Sequence, residues 1–108
     1  MEWKEIKTEA DLLALIKNSD TSLVLFKNSD RCSVSRMAKR AMEIEWKNSL
    51  PVYLINVIES RPVSNLLATI SNVQHESPQL IVMRNGSCIY HASHHHIDAG
   101  TAMQLAAN

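Results

Sequence analysis

No apolar stretch in these 108 residues approaches the ~20 that a membrane-spanning helix needs. An excess of one charge is missing as well: 11 Lys and Arg balance 11 Asp and Glu, and the formal net charge is zero. A balanced chain sets up no general field for nucleic acid or an anionic membrane, which argues against either as the main partner. An apolar signal core is also absent, since Met1-Glu2-Trp3-Lys4-Glu5 is too charged to form one. Cysteine is scarce, with two residues. Two cysteines without an export signal point to the cytoplasm, where thiols stay reduced. No linker, repeat or low-complexity tract appears, apart from a histidine cluster at positions 91–96. The length fits one domain, residues 1–108. Such a chain can bury a core without disulfides, because core becomes short only below ~40 residues.

What is present centres on Cys32. It follows an apolar run, Leu23-Val24-Leu25-Phe26, and a polar turn, Lys27-Asn28-Ser29-Asp30-Arg31, and it opens a helical segment from Ser33 to about Trp46. Strand, tight turn, then cysteine at a helix N-terminus is a geometry that makes a thiol reactive, because the unpaired N–H groups of the first turn favour the thiolate. Lys27, Arg31 and Arg36 lie close in sequence and add positive potential. The second cysteine of a dithiol motif is missing: the segment reads Cys32-Ser33-Val34-Ser35.

The rest of the chain alternates between helix and strand. Leu12, Leu13 and Ile16 mark a first helix with Thr8 as its N-cap. Ser22 to Lys27 predicts a strand buried on both faces, since its apolar run does not alternate. Val34, Met37, Ala38, Ala41 and Met42 fall at helical spacing and predict a second amphipathic helix. Val52 to Val57 predicts another buried strand. Pro62 suits the first turn of a third helix, in which Val63, Leu66, Leu67 and Ile70 recur at i, i+3, i+4 and i+7. Gln79 to Arg84 and Ser87 to Ala92 are extended runs joined by Asn85-Gly86, a hairpin signal. A last helix runs from about Asp98, its cap, to Ala107, and Trp3 to Ile6 is a candidate edge strand. Alternating elements demand a parallel sheet with right-handed crossovers, and the hairpin makes the sheet mixed. The expected class is therefore α/β: a thioredoxin-like fold with a mixed central sheet, a C-terminal β-hairpin and flanking helices.

Three blocks carry a closer resemblance. They are Leu25-Phe26-Lys27-Asn28-Ser29 leading into Cys32-x-Val34-Ser35, then His75-Glu76-Ser77-Pro78-Gln79, then His91-Ala92-Ser93-His94. Together they resemble the monothiol bacilliredoxin family, thioredoxin-like proteins of bacteria that use bacillithiol in place of glutathione. Ser33 departs from the proline usual in the family's Cys-Pro-x-Ser motif. The change removes a rigid first helical position and adds a hydroxyl beside the thiol. Arg31 stands where a small hydroxyl residue is common, and His95 and His96 also depart from the pattern.

The resemblance implies that Cys32 is the nucleophile and that the Ser77-Pro78 loop faces it. Taken alone, the sequence favours a trans proline opening a strand, since only ~5–6% of X-Pro bonds are cis. The resemblance implies cis, with the Ser77 backbone exposed as an edge on which an extended disulfide substrate can pair. Ser35, at i+3, is a candidate donor to the Cys32 thiolate, or else an exposed first-turn serine. Cys88 sits two residues past the hairpin turn, on the order of 15–20 Å from the Pro78 end. A disulfide needs Cα atoms within ~7 Å, so Cys88 reads as structural. The second hairpin strand returns toward Cys32 and brings His91, His94, His95 and His96 with it, and His94 is a candidate substrate-binding residue. The plain reading of this cluster is a solvated loop, because consecutive histidines rarely satisfy one tetrahedral ion.

The expected function is monothiol thiol–disulfide exchange. Cys32 removes a low-molecular-weight thiol such as bacillithiol from mixed disulfides on S-thiolated client proteins, with the small thiol as co-substrate and no other cofactor or metal. Two alternatives stand beside it: a non-catalytic thioredoxin-like interaction module, and a metal-binding protein using Cys32 with His94 to His96.

Overall fold

The structure, a computed structural model, describes residues 1–107. Its elements are β1 (Trp3–Glu5), α1 (Glu9–Asn18), β2 (Leu23–Asn28), α2 (Ser33–Glu45), β3 (Val52–Asn56), α3 (Arg61–Ser71), β4 (Gln79–Arg84), β5 (Ser87–Ser93), a 3-10 turn at His94–His96, and α4 (Ala99–Ala107). The five strands lie in the order β1-β3-β2-β4-β5. β1, β3 and β2 are parallel, whereas β4 runs antiparallel to β2 and β5 antiparallel to β4. This is the mixed thioredoxin-like α/β fold with its β4–β5 hairpin, and the short N-terminal edge strand is present.

Strand β2 is central, and all six of its residues are buried. Side chains alternate between faces along a strand, and the two resulting sets make two cores. Val24 and Phe26 face Met42 and Trp46 of the α2 side and Ala99, Ala102 and Ala106 of α4. Leu23 and Leu25 face Leu12 of α1 and Val63 and Leu67 of α3. A strand covered on both sides cannot alternate in polarity, which is why its sequence is a continuous apolar run. The strand continues one residue past the expected end, so Lys27 and Asn28 are both buried within it.

Local chemistry sets the element ends. The Thr8 hydroxyl accepts from the Asp11 N–H at 3.1 Å and caps α1. Asp98 accepts from the Thr101 hydroxyl at 2.7 Å and the Gly100 N–H at 3.1 Å at the start of α4, and these bonds, that from Thr101 above all, hold its carboxyl below the usual carboxylate range. One expectation fails on α2. The sequence pattern places Met37 and Ala41 among core residues, yet both are exposed, Met37 by 66%. The helix docks through Ala38 and Met42, and one residue back along a helix of 3.6 residues per turn is rotated by ~100°, which swings Met37 and Ala41 outward.

The hairpin turn has φ of 53° at Asn85 and 78° at Gly86, the left-handed conformation that a two-residue hairpin loop requires at both central positions. A Cβ at position 86 would meet nothing within 4 Å, so only the backbone preference opposes substitution. Gly86→Ala should lower stability by about 1 kcal/mol, read as a lower urea midpoint at unchanged m-value. An unchanged midpoint would show that the turn relaxes without cost.

Candidate thiol site at the end of strand β2

Chain direction places Cys32 at the exit of the central strand. Residues Ser29 to Arg31 turn the chain, the Cys32 N–H donates to the Ser29 carbonyl at 3.2 Å, and Cys32 becomes the N-cap of α2 with extended backbone angles. Its carbonyl accepts the first helical bond, from the Arg36 N–H at 3.1 Å. Its side chain makes no capping hydrogen bond, and the first turn of α2 contains no acidic residue. The thiol is free and half-buried. Of the three nearby cations expected to add potential, Arg31 is exposed, Arg36 Nη1 donates to the Asp30 carbonyl at 3.0 Å, and Lys27 is buried on the strand.

Asn28 holds the junction together. On the strand it follows the Val24 and Phe26 parity, toward α2. Its Oδ1 accepts from the Ser35 hydroxyl at 3.0 Å, and its Nδ2 donates to Asp30 at 2.9 Å and to Asn56 Oδ1 at 3.0 Å. Ser35 Oγ in turn accepts from the Ser29 N–H at 2.9 Å. The expected Ser35 bond to Cys32 is therefore not made. The one hydroxyl proton goes to Asn28, and Ser35 is fully buried rather than exposed. Ser35 ties the first turn of α2 to the strand end and to the turn between them. Asn56, at the matching end of β3, donates onward to Glu5 at 2.9 Å.

Lys27 follows the other parity, toward α3. Its ammonium donates to the Ser64 carbonyl at 3.0 Å and lies 3.0 Å from His75 Nδ1, which also receives the Ser64 hydroxyl at 3.1 Å. With two donors aimed at Nδ1, that nitrogen presents its lone pair and the ring carries its proton on Nε2. No carboxylate pairs with Lys27 among the described residues. Burial lowers its pKa to about 8. Burial first, then the Lys27 and Arg61 charges, also push His75 below its usual value. Sequence reasoning missed both the Asn28 network and the Lys27–His75 contact. The available signal was two polar residues directly continuing a buried apolar run.

The antiparallel register brings the second block to the same end. Gln79 pairs with Lys27 across β2–β4 and with Ser93 across β4–β5, so Ser77 and Pro78 lie beside the end of β2. The Ser77-Pro78 bond is cis. The His94 N–H donates to the Pro78 carbonyl at 2.9 Å, and His94 Nδ1 lies 3.3 Å from a Glu76 carboxylate oxygen. Cys32, Ser77, Pro78 and His94 thus share one end of the sheet. Cys88 does not: it pairs with Met83 near the hairpin turn, its thiol donates to the Tyr90 carbonyl at 3.4 Å, and burial pushes its pKa up. His95 and His96 are exposed on the 3-10 turn. Among the described residues no group of three or more His, Cys, Asp or Glu side chains gathers to hold a metal.

The buried lysine makes a pH prediction. In the unfolded chain Lys27 stays protonated to ~10.4, whereas folded it loses its proton at about 8. Between those values the unfolded state binds more protons, so stability due to this group rises with pH. Other groups ionise there too, so the comparison is with Lys27→Met. From pH 7 to 9.5 the wild type should gain about 1–2 kcal/mol relative to that variant in urea unfolding. Parallel pH profiles would show that Lys27 is not destabilised as a cation.

The monothiol bacilliredoxin BrxC family matches residues 4–101. Among solved structures, one described as having a thioredoxin fold aligns with a TM-score of 0.85 at 21% identity, over 98% of this chain and 94% of its own. The thioredoxin of Malassezia sympodialis aligns at 0.75 and 14% identity, over 100% of this chain and 92% of its own. That of Fasciola hepatica aligns at 0.72 and 15% identity, over 96% of each. At such identities the solved structures speak for the fold alone. The family match, which spans nearly the whole chain, carries the rest: the chain belongs to the monothiol bacilliredoxin family, and with that membership comes thiol–disulfide oxidoreductase activity.

Proposed function

We propose that Cys32 is the nucleophile of that exchange, and that the protein removes bacillithiol from mixed disulfides on cytoplasmic client proteins. The observation that carries this reading is the position of Cys32: a free, half-buried thiol with an unengaged side chain at the start of α2, at the same sheet end as Pro78 and His94.

The chemistry takes two balanced steps. The Cys32 thiolate attacks the small-thiol sulfur of the client's mixed disulfide. A new sulfur–sulfur bond forms on Cys32, the old one breaks, and the client departs as a thiolate with the electron pair. A second molecule of the small thiol, as thiolate, then attacks the Cys32 adduct, giving its symmetric disulfide and restoring Cys32. The first-turn N–H groups of α2 stabilise Cys32 both as attacking and as leaving group. The dithiol route is closed, because Ser35 occupies the place of a resolving cysteine and is committed to Asn28 and Ser29. Its role is to position the turn.

Substrate docking is assigned to Ser77, Pro78 and His94. The Ser77 hydroxyl is buried and has no hydrogen-bond partner among the described residues, so its donor is uncommitted next to the Pro78 bond. His94, fixed by the Pro78 carbonyl and Glu76, closes the other side.

Removal of bacillithiol from a modified protein, followed by intact mass, tests the reading. Cys32→Ser should abolish it, while Cys88→Ser should keep most of the rate. Equal loss in both variants would make Cys88 a resolving thiol. Full activity in Cys32→Ser would overturn the assignment, and a wild type inert toward every mixed disulfide would favour the interaction module.

A further inference from the structure

Helix α2 carries a face that folding does not use. Met37 is 66% and Ile44 57% exposed, and Ser33, Arg36, Arg40 and Ala41 line the same shallow depression. Spacings of three and four residues put these side chains in one stripe along the helix. Neither Arg36 nor Arg40 joins an ion pair among the described residues. The stripe starts beside Cys32 and ends at Ile44, ~18 Å along the helix axis at 1.5 Å per residue.

We propose that this stripe docks the protein half of the substrate: a client segment with apolar side chains flanked by Asp or Glu. The proposal rests on the exchange reading above and names the kind of client it would favour. Charge complementarity supplies the choice. Two guanidinium groups without a carboxylate partner among the described residues, Arg36 and Arg40, lie beside Met37 and Ile44 and match carboxylates flanking an apolar residue. Length supplies the second reason, since a low-molecular-weight thiol seated at Cys32 is too short to reach Ile44, whereas a polypeptide whose modified cysteine lies at Cys32 is long enough to run over the helix. A second copy of the chain fits poorly, because a two-fold contact through this face would set arginines against arginines.

The test separates docking from chemistry by measuring each on its own. Two fluorescein-labelled peptides share one sequence of Leu and Ser around a central serine in place of cysteine. One is flanked by Asp and Glu, the other by Lys. Fluorescence anisotropy should show the acidic peptide binding about tenfold tighter than the basic one at low salt. Arg40→Glu should cancel that preference and Ile44→Ser should weaken binding of the acidic peptide. Exchange is then followed on the bacillithiol mixed disulfide of N-acetylcysteine, which has no segment to dock. There Arg40→Glu and Ile44→Ser should match the wild type. Equal binding of both peptides, or preference surviving in Arg40→Glu, would overturn the proposal. So would wild-type binding to phosphatidylglycerol vesicles lost in Arg40→Glu without any peptide preference, or a dimer lost in Ile44→Ser. Loss of N-acetylcysteine exchange in both variants would also overturn it, by placing their effect on the thiol. Absence of that exchange in the wild type would instead sink the exchange reading, while the anisotropy result still decides the docking face.

Discussion

Two polar residues end the buried strand β2, and neither can stay buried alone. An amide or ammonium taken out of water without partners costs several kcal/mol, so Lys27 and Asn28 must each find them. The two-residue period of a strand sends them in opposite directions. Lys27 reaches Ser64 of α3 and His75 of the loop before β4. Asn28 reaches Ser35 of α2, Asn56 of β3 and Asp30 in the turn. Adjacent positions on one strand thereby fasten both helical layers and the Pro78 loop to the point where the chain leaves the sheet. Cys32 stands four residues further on. Its placement at the head of α2 depends on this pair of anchors.

The same arrangement sets the two cysteines apart. Cys88 lies near the hairpin turn, half-buried, with its thiol given to a carbonyl and its ionisation opposed by burial. Cys32 lies where the strand ends and helical N–H groups begin, with its sulfur uncommitted. With Ser35 bound into the junction, an exchange reaction at this site draws its second thiol from solution. That is the chemistry of the monothiol family to which the chain belongs.

Most of the architecture was legible in the sequence because it follows from periodicity and turn chemistry. The continuous apolar run of β2 implied cover on both faces, Asn85-Gly86 implied the hairpin, and a polar turn before a helical repeat put Cys32 at a helix start. The site's scaffold was not legible. Lys27 finds Ser64 and His75 at 37 and 48 residues' distance and Asn28 finds Asn56 at 28, and no local pattern pairs them. Ser35 misled for a related reason. Spacing of three residues says that two side chains can share a helix face, but a buried amide on a neighbouring strand won the hydroxyl. Met37 misled because an apolar residue at the margin of a helical stripe can face either way, and the rotation of α2 on the sheet decides it.

In the proposed exchange, Cys32 alone carries the small thiol between client and solution. Intact-protein mass spectrometry with peptide mapping, made shortly after mixing the reduced wild type with a bacillithiol-modified protein, reads this directly. The expected product is a single bacillithiol adduct, located on Cys32, with Cys88 still a free thiol. An adduct located on Cys88, or a loss of two hydrogens reporting a Cys32–Cys88 disulfide, would contradict it.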